Sequence, residues 1–390
     1  MPLSPLRLTI VQGAFLPVPA LLGGAVEKVW YAMGQEFARR GHHVVHVSRS
    51  HRTLPAANST AGVMYQRVRG YDTPSALWRL KLLDLAYSLR VKSLLPKADI
   101  LITNTFWLPL VERRRSRGVP YLHVARYPKG QMKLYPARAI FQTVSEPIRS
   151  AILREHPAAE ARVRVIPYPL SPVYLVPASQ SGPVILYTGR LHPEKGVELL
   201  VQAFLRLQAA GLQGWKLRII GPWKTAQGGG GPAYRETLDA HAKKAGGAIE
   251  LLEPIFDEAE LVAQYRTAAI FAYPSIAEFG ETFGLAALEA MAAGAVPVVS
   301  ALRCFADFIL DGKNGRVFDH RAAEPVTDLA RVLSELVQAP EERAQLSKAA
   351  WATARNYTLP SIAEQFISDF RSLLNPVPAS LVSVSACLPH

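Results

Sequence analysis

The sequence predicts an α/β protein made of two doubly wound parallel sheets. Short apolar runs alternate with amphipathic helical patterns along the whole chain, a proline-rich stretch interrupts the alternation near the middle, and the alternation then restarts. Parallel neighbours need a crossover connection, so strand–helix alternation reads as a parallel sheet. The 390 residues suit two or three domains, at about 150 residues each. Hydrophobic residues make up 49% and charged residues 19%, which provides sizeable cores and excludes a largely disordered chain.

In the first half the strand candidates are Leu8–Val11, Val44–Val47, Val63–Val68, Ile100–Thr103, Tyr121–Val124 and Ala139–Val144. Between the first two, Val26, Val29, Trp30, Met33 and Phe37 recur at helical spacing and Gly41 supplies the stop. The apolar stretch after Arg7 resembles a secretory signal, but Gln12, Pro17 and Pro19 interrupt it. It reads as a strand and a loop, and the expected location is cytoplasmic. Five prolines, Pro167, Pro169, Pro172, Pro177 and Pro183, mark a linker, because proline neither joins a ladder nor continues a helix. Beyond it, strands are expected at Val184–Thr188, Leu217–Ile220, Ile249–Leu252, Ile270–Tyr273 and Val296–Val299. Helices at about 323–338, 341–356 and 360–374 close the chain before an aperiodic tail from Asn375.

Two cysteines, Cys304 and Cys387, exclude a disulfide scaffold and a cysteine zinc site. The formal net charge is +13, but it is unevenly spread. Residues 1–170 hold 25 Lys/Arg against 9 Asp/Glu, and the remainder holds 19 against 22. The basic half therefore either faces an anionic partner or is simply a solvated basic surface. Clusters at Arg113–Arg117 and at Lys129, Lys133 and Arg138 have no aromatics interleaved in an RNA-stacking pattern. Nucleic acid is not expected, and an anionic membrane surface fits better.

Chemistry concentrates after two strands of the second half. The run Gly189-Arg190-Leu191-His192-Pro193-Glu194-Lys195-Gly196 joins a strand to a helix. Ligands of open α/β sheets bind at the carboxyl ends of strands, and Arg190 and Lys195 are suited to phosphate oxygens. The alternative is a turn with two surface cations. After Tyr273, Glu281 falls in a loop and Glu289 in a helix expected to start near Phe283. Backbone N–H groups near Phe283, Gly284 and Leu285 could seat an anion, Gly284 keeping the seat open, while the carboxylates would bind sugar hydroxyls. The alternative is a capping Glu281 and an exposed Glu289. Gly228–Gly231 reads as a mobile surface loop, since the P-loop lysine spacing is absent.

These two motifs, the basic run and the Glu-x7-Glu pair, resemble those of retaining glycosyltransferases of family 4. The resemblance covers nearly the whole chain and is strongest from about residue 184 to 320. It implies the GT-B architecture: two Rossmann-like doubly wound parallel-sheet domains facing a central cleft. It further implies an acceptor-binding domain over 1–168 and a donor-binding domain over 169–355. Residues 356–390 would form a helix crossing back to the first domain plus a flexible tail. The resemblance assigns Arg190 and Lys195 to the donor diphosphate and Glu289 to the ribose. Glu281, Phe283, Gly284 and Leu285 would hold the donor sugar, and Gly23 and Gly24 would approach the phosphates. The family's N-terminal-domain histidine, counted from Pro120, falls on Arg126, with His123 three residues earlier. Both are candidates.

The implied activity is transfer of a hexose, from UDP- or GDP-sugar foremost, to a glycan, lipid-linked or small-molecule acceptor. No Asp-x-Asp occurs, and neither metal nor cofactor is expected. Expected partners are the nucleotide sugar and an acceptor with anionic character, with peripheral contact to the inner face of a membrane through the basic half. The rival readings are a catalytically silent GT-B binding module and a nucleotide-sugar epimerase on the same fold.

Overall fold

In a computed structural model of the chain, the structure describes residues 4–175 and 182–375. The chain divides into two compact units. The first holds the chain up to Val144, Ile148–Ile166 and the chain from Leu359 onward; the second holds Ser145–Pro147 and Pro167–Thr358. The divisions thus fall at 166/167 and 358/359, a few residues from the boundaries read at 168/169 and 355/356.

The first unit carries strands β1 (Arg7–Val11), β2 (His43–Arg49), β3 (Ala57–Thr60), β4 (Val63–Val68), β5 (Ile100–Thr103), β6 (Val119–Val124), β7 (Ile140–Thr143) and β8 (Val163–Val165). They form one sheet in the order β3-β4-β2-β1-β5-β6-β7-β8. All pairs are parallel except the β3–β4 hairpin. Every residue of β5 is buried, as a central strand covered on both faces requires. Helices α1 (Ala25–Arg39), α2 (Leu77–Leu94), the single turn α3 (Leu108–Val111) and α4 (Glu146–Glu155) follow in order.

The second unit carries β9 (Gly182–Thr188), β10 (Lys216–Ile220), β11 (Ile249–Leu252), β12 (Ala268–Tyr273), β13 (Val296–Ser300) and β14 (Arg316–Phe318), all parallel, in the order β11-β10-β9-β12-β13-β14. Its helices are α5 (Val197–Ala209), α6 (Gly231–Lys244), α7 (Glu258–Thr267), α8 (Leu285–Ala292), α9 (Pro325–Gln338) and α10 (Pro340–Ala354). In each sheet the winding reverses once, beside β1 in the first and beside β9 in the second. Those reversals open crevices at the strands' carboxyl ends, where ligands of such sheets bind.

The last helix, α11 (Leu359–Leu374), belongs to the first unit. Its apolar face meets α1: Phe366 lies 5.3 Å from Trp30 and Phe370 lies 5.9 Å from Phe37, ring to ring. Asp369 locks it further, accepting from Tyr121 Oη (2.8 Å) and Arg164 Nε (2.7 Å).

Several expectations need correction. Strands β3, β8 and β14 were not anticipated; β3 is largely exposed and the other two are three residues long. The proline segment is not a bare linker: Leu170 bridges to Thr358, and Tyr174 is buried in a short 3-10 turn at Pro172–Tyr174. Pro177 and the tail beyond Asn375 lie outside the described residues. Gly228–Gly231 is a hydrogen-bonded turn, not a loose loop. Gly230 N–H donates to Leu191 O and Gly231 N–H to Trp223 O (both 2.8 Å), and a Cβ on Gly229 would stand 2.2 Å from the Trp223 carbonyl.

Candidate functional site

The two motifs of the second unit follow β9 and β12, neighbouring strands on either side of the sheet's reversal. Backbone contacts fasten them together. After β9 a 3-10 turn, Pro193–Lys195, ends at Gly196, whose φ is +65°. A Cβ there would lie 2.0 Å from Pro274 O, so only glycine permits this approach. Glu194 O accepts from Ile276 N–H at 2.9 Å. Gly196 therefore serves the joining of the two loops.

This joining sets Lys195 against Glu281. Lys195 Nζ donates to Glu281 Oε2 at 2.6 Å, with side chains only 7% and 11% exposed. The ammonium also sits 5.8 Å from the Tyr273 ring centre. Tyr273 is stacked on Tyr187 and Phe271, and burial followed by Glu281's charge pushes its phenol far up. Glu281 is thus neither a helix cap nor a solvated carboxylate. Arg190 is more exposed: it donates to Glu194 Oε1 (2.8 Å) and Gly228 O (2.6 Å), while Tyr187 Oη donates to Arg190 O (3.0 Å). Arg190 and Lys195 are therefore held at one strand end, each on an acceptor that an anion could replace.

Glu289 lies on α8, half-buried rather than exposed. Tyr265 Oη donates to its Oε2 at 3.2 Å, and Tyr265 Oη also lies 2.5 Å from Thr188 Oγ1. Since the phenol proton goes to Glu289, Thr188 supplies the proton of the second bond. Burial, then Glu289's charge, raises the Tyr265 phenol well above its ordinary value, so it remains a donor. The sequence reading missed Tyr265 and Tyr273 because they look like core aromatics; only their place beside two carboxylates distinguishes them.

The helix α8 begins at Leu285, two residues later than expected, with Gly284 at its N-cap in the left-handed region (φ +86°). Phe283 turns inward, packing on Tyr168, Phe308 and Tyr357, so only its backbone faces the helix start. A Cβ on Gly284 would come within 2.3 Å of the Phe305 ring. Packing of Phe305, not an open anion seat, makes glycine necessary here.

In the first unit, Gly23 and Gly24 precede α1 with φ of +80° and +109°. Gly24 is needed because the Glu27 carboxylate folds over it: a Cβ would stand 2.2 Å from Glu27 Oε2. Burial raises the Glu27 pKa, against the smaller opposing pull of Arg126. Arg126 lies exposed beyond the carboxyl end of β6. His123 lies within β6, 6% exposed, with its ring 5.4 Å from Trp30. Gln142 Nε2 donates to Thr143 O and Ile166 O. Its Oε1 must then accept from His123 Nδ1–H at 2.5 Å, leaving Nε2 as the acceptor nitrogen. Burial pushes the His123 pKa down to about 4, so the ring is neutral near pH 7. The structure therefore brings Arg190, Lys195, Glu281 and Glu289 together at the reversal of the second sheet, and groups Gly24 with Glu27 and Arg126 in the first. Phe256, in the stretch Pro254–Phe256 after β11, is exposed.

Residues 176–352 match the family described as "Glycosyl transferases group 1". The matched segment contains both motifs of the second unit. The chain is similar to a lipopolysaccharide 1,2-N-acetylglucosaminetransferase of Salmonella typhimurium, 30% identical over 196 residues, covering 48% of each chain. It is likewise similar to a D-inositol 3-phosphate glycosyltransferase of Mycolicibacterium smegmatis, 31% identical over 218 residues, covering 53% of this chain and 45% of that protein. The chain spans about half the length of the curated relatives it matches. Solved structures agree over more of it. A glycosyltransferase from Rickettsia africae aligns with TM-score 0.73 at 16% identity, covering 95% of this chain and all of that one. Anabaena Alr3699/HepE in complex with UDP aligns with TM-score 0.70 at 15% identity, covering 94% and 100%. The fold is GT-B. Among the described residues no group of His, Cys, Asp or Glu could hold a metal ion, and no helix is long and apolar enough to cross a membrane.

Proposed function

We propose that the protein is a retaining glycosyltransferase of family 4, moving a hexose from a UDP- or GDP-sugar to a glycan, lipid-linked or small-molecule acceptor. The buried Lys195–Glu281 pair, 2.6 Å apart at the reversal of the second sheet, carries this reading. A cation withdrawn from water and tied to one carboxylate is poised to exchange that partner for a diphosphate. Arg190 adds a fork for phosphate oxygens. The exchange releases Glu281 to accept hydrogen bonds from donor-sugar hydroxyls. Glu289, aimed by Tyr265, accepts from the ribose hydroxyls, and the backbone at Phe283–Leu285 borders the sugar.

Lys195 and Arg190 stabilise the charge that grows on the leaving diphosphate, which is the role a metal ion has in other transferases. We propose metal-independent transfer on that ground. The departing phosphate takes the acceptor's proton as the acceptor attacks from the same face, so the configuration is retained without an enzymic nucleophile. We assign the first unit to the acceptor, with Gly23, Gly24, Arg126 and neutral His123 as its candidate contact residues. The surplus positive charge of residues 1–170 suits an anionic acceptor.

The test is release of free nucleoside diphosphate from UDP-, GDP-, ADP- and dTDP-sugars, with and without acceptor extract, followed by the product's anomeric configuration. Acceptor-dependent release that survives excess EDTA, with retention, is expected. Nucleotide binding without release under any condition would favour a silent binding module. Release that EDTA abolishes and Mg²⁺ restores would overturn metal independence.

A further inference from the structure

Helix α2 carries apolar side chains on its outward face as well as on the face that meets the core. Its inward residues include Asp84, Tyr87, Ser88 and Val91, all buried, whereas Trp78, Leu82 and Leu89 point outward, 65%, 56% and 51% exposed. At 100° per residue these three fall within about 40° of one another, so they form a stripe rather than scattered surface leucines. Cations border the stripe on both sides. Lys81 and Lys92 lie roughly 40–60° to one side of Trp78, and Arg79 and Arg90 roughly 100–120° to the other.

The helix is held firmly enough to present this face. Trp107 Nε1 donates to Lys81 O (2.8 Å) and Arg114 Nη2 to Lys92 O (3.2 Å). The only carboxylate among residues 73–98 is Asp84. It is 4% exposed and accepts the Phe106 and Trp107 N–H groups, both at 3.1 Å. The outward face thus combines an apolar centre, two cationic margins and no acid. Folding alone does not call for this arrangement, because the leucines are left in water and the aspartate is removed from it.

An apolar stripe between rows of cations fits the boundary between anionic headgroups and acyl chains. A phosphate backbone has nothing to set against the Trp78–Leu82–Leu89 centre. An acidic protein surface would leave those side chains uncovered. We propose that α2 docks the protein on an anionic lipid bilayer, Trp78, Leu82 and Leu89 entering the headgroup–acyl boundary while the flanking cations remain among the headgroups. The inference rests on the first unit alone and stands or falls independently of the transfer reaction.

Co-sedimentation with vesicles tests it, using mixed phosphatidylcholine and phosphatidylglycerol beside pure phosphatidylcholine. The wild-type chain should bind the anionic vesicles in preference. Leu82→Ser/Leu89→Ser should weaken that binding at least about tenfold, with an unchanged melting temperature because both side chains are exposed. Lys81→Gln/Lys92→Gln should weaken it by about fivefold per charge at low salt, a difference that high salt removes. Thermal shifts with nucleoside diphosphates should be the same in all three proteins, which separates this surface from the site of the second unit. The proposal is overturned if the wild-type protein ignores anionic vesicles, if it binds both vesicle types equally, or if the leucine variant binds as well as wild type. Conversion of a dimer to a monomer by the leucine variant would overturn it too, by showing that a second copy covers the stripe.

Discussion

Lys195 and Glu281 each hold the other in an environment that neither would tolerate alone. Removing one partner of a buried ion pair strands the other charge, at a cost of about 3–5 kcal/mol. Lys195→Ala should therefore lower both the melting temperature and nucleoside diphosphate affinity. Lys195→Met/Glu281→Leu should recover most of the stability and none of the affinity, because no stranded charge remains but the phosphate contact is gone. Calorimetric unfolding beside diphosphate titration checks this; recovery of both together would remove Lys195 from the site. Glu281→Ala should keep or improve diphosphate affinity, since it releases Lys195, while turnover with the sugar donor falls. Tyr265→Phe is the corresponding change at Glu289. It removes a hydrogen bond to a charged group, worth about 1.5–3 kcal/mol. Diphosphate affinity should fall about tenfold while kcat changes little, because Glu289 keeps its charge and loses only its aim. The four charged residues were legible in the sequence from their type and spacing. Their pairing was not: nothing in the spacing of Lys195 and Glu281 says that Gly196 meets Pro274, and that contact brings them together.

At the scale of elements, the parallel strands were readable wherever the strand was buried on both faces, as for β5 and β12. Edge strands carry no such signature. Strand β3 reads Ala-Asn-Ser-Thr, and its pairing with β4 is set by the turn at Ala61 and Gly62, both with positive φ. Helix α2 shows the converse difficulty, since leucine on both its faces hides which one the sheet covers. Glycines mark element junctions, but the sequence does not say what each one avoids. Gly284 and Gly23 separate cleanly on this point. Both have positive φ, which costs a residue with a Cβ about 1–2 kcal/mol. Only Gly284 has a ring in the way; nothing lies within 4 Å of a Cβ on Gly23. Gly284→Ala should thus lose a further 1–3 kcal/mol or so from overpacking against Phe305 and disturb the start of α8. Gly23→Ala should lose only the backbone contribution. Equal losses of stability in the two variants would show that Phe305 can move aside at no cost.

For the whole molecule, buried titratable groups give the two units different responses to acid. The first unit buries His46 completely in β2, where burial holds its pKa at about 3, and His123, held at about 4. A histidine with an unfolded pKa near 6.5 and a depressed folded pKa contributes its full stability above 6.5. That contribution is lost as pH falls toward the folded value, by about 1.4 kcal/mol per pH unit for each group. A buried aspartate acts in the opposite direction. Asp84 in the first unit is raised to about 6, mainly by burial. It contributes stability below its unfolded pKa that is lost as pH rises through 6, so part of it returns on acidification. From pH 7 to pH 5 the two histidines together cost the first unit about 4 kcal/mol, and Asp84 restores about 1.4. Scanning calorimetry should therefore show an early transition, that of the first unit, that moves to lower temperature at pH 5 by more than the later one does. His46→Leu should raise the early transition at pH 5 by more than at pH 7, since both ring nitrogens of His46 are buried without a hydrogen-bond partner and only their protonation is lost. Transitions that shift together, or a His46→Leu effect independent of pH, would locate the acid sensitivity elsewhere.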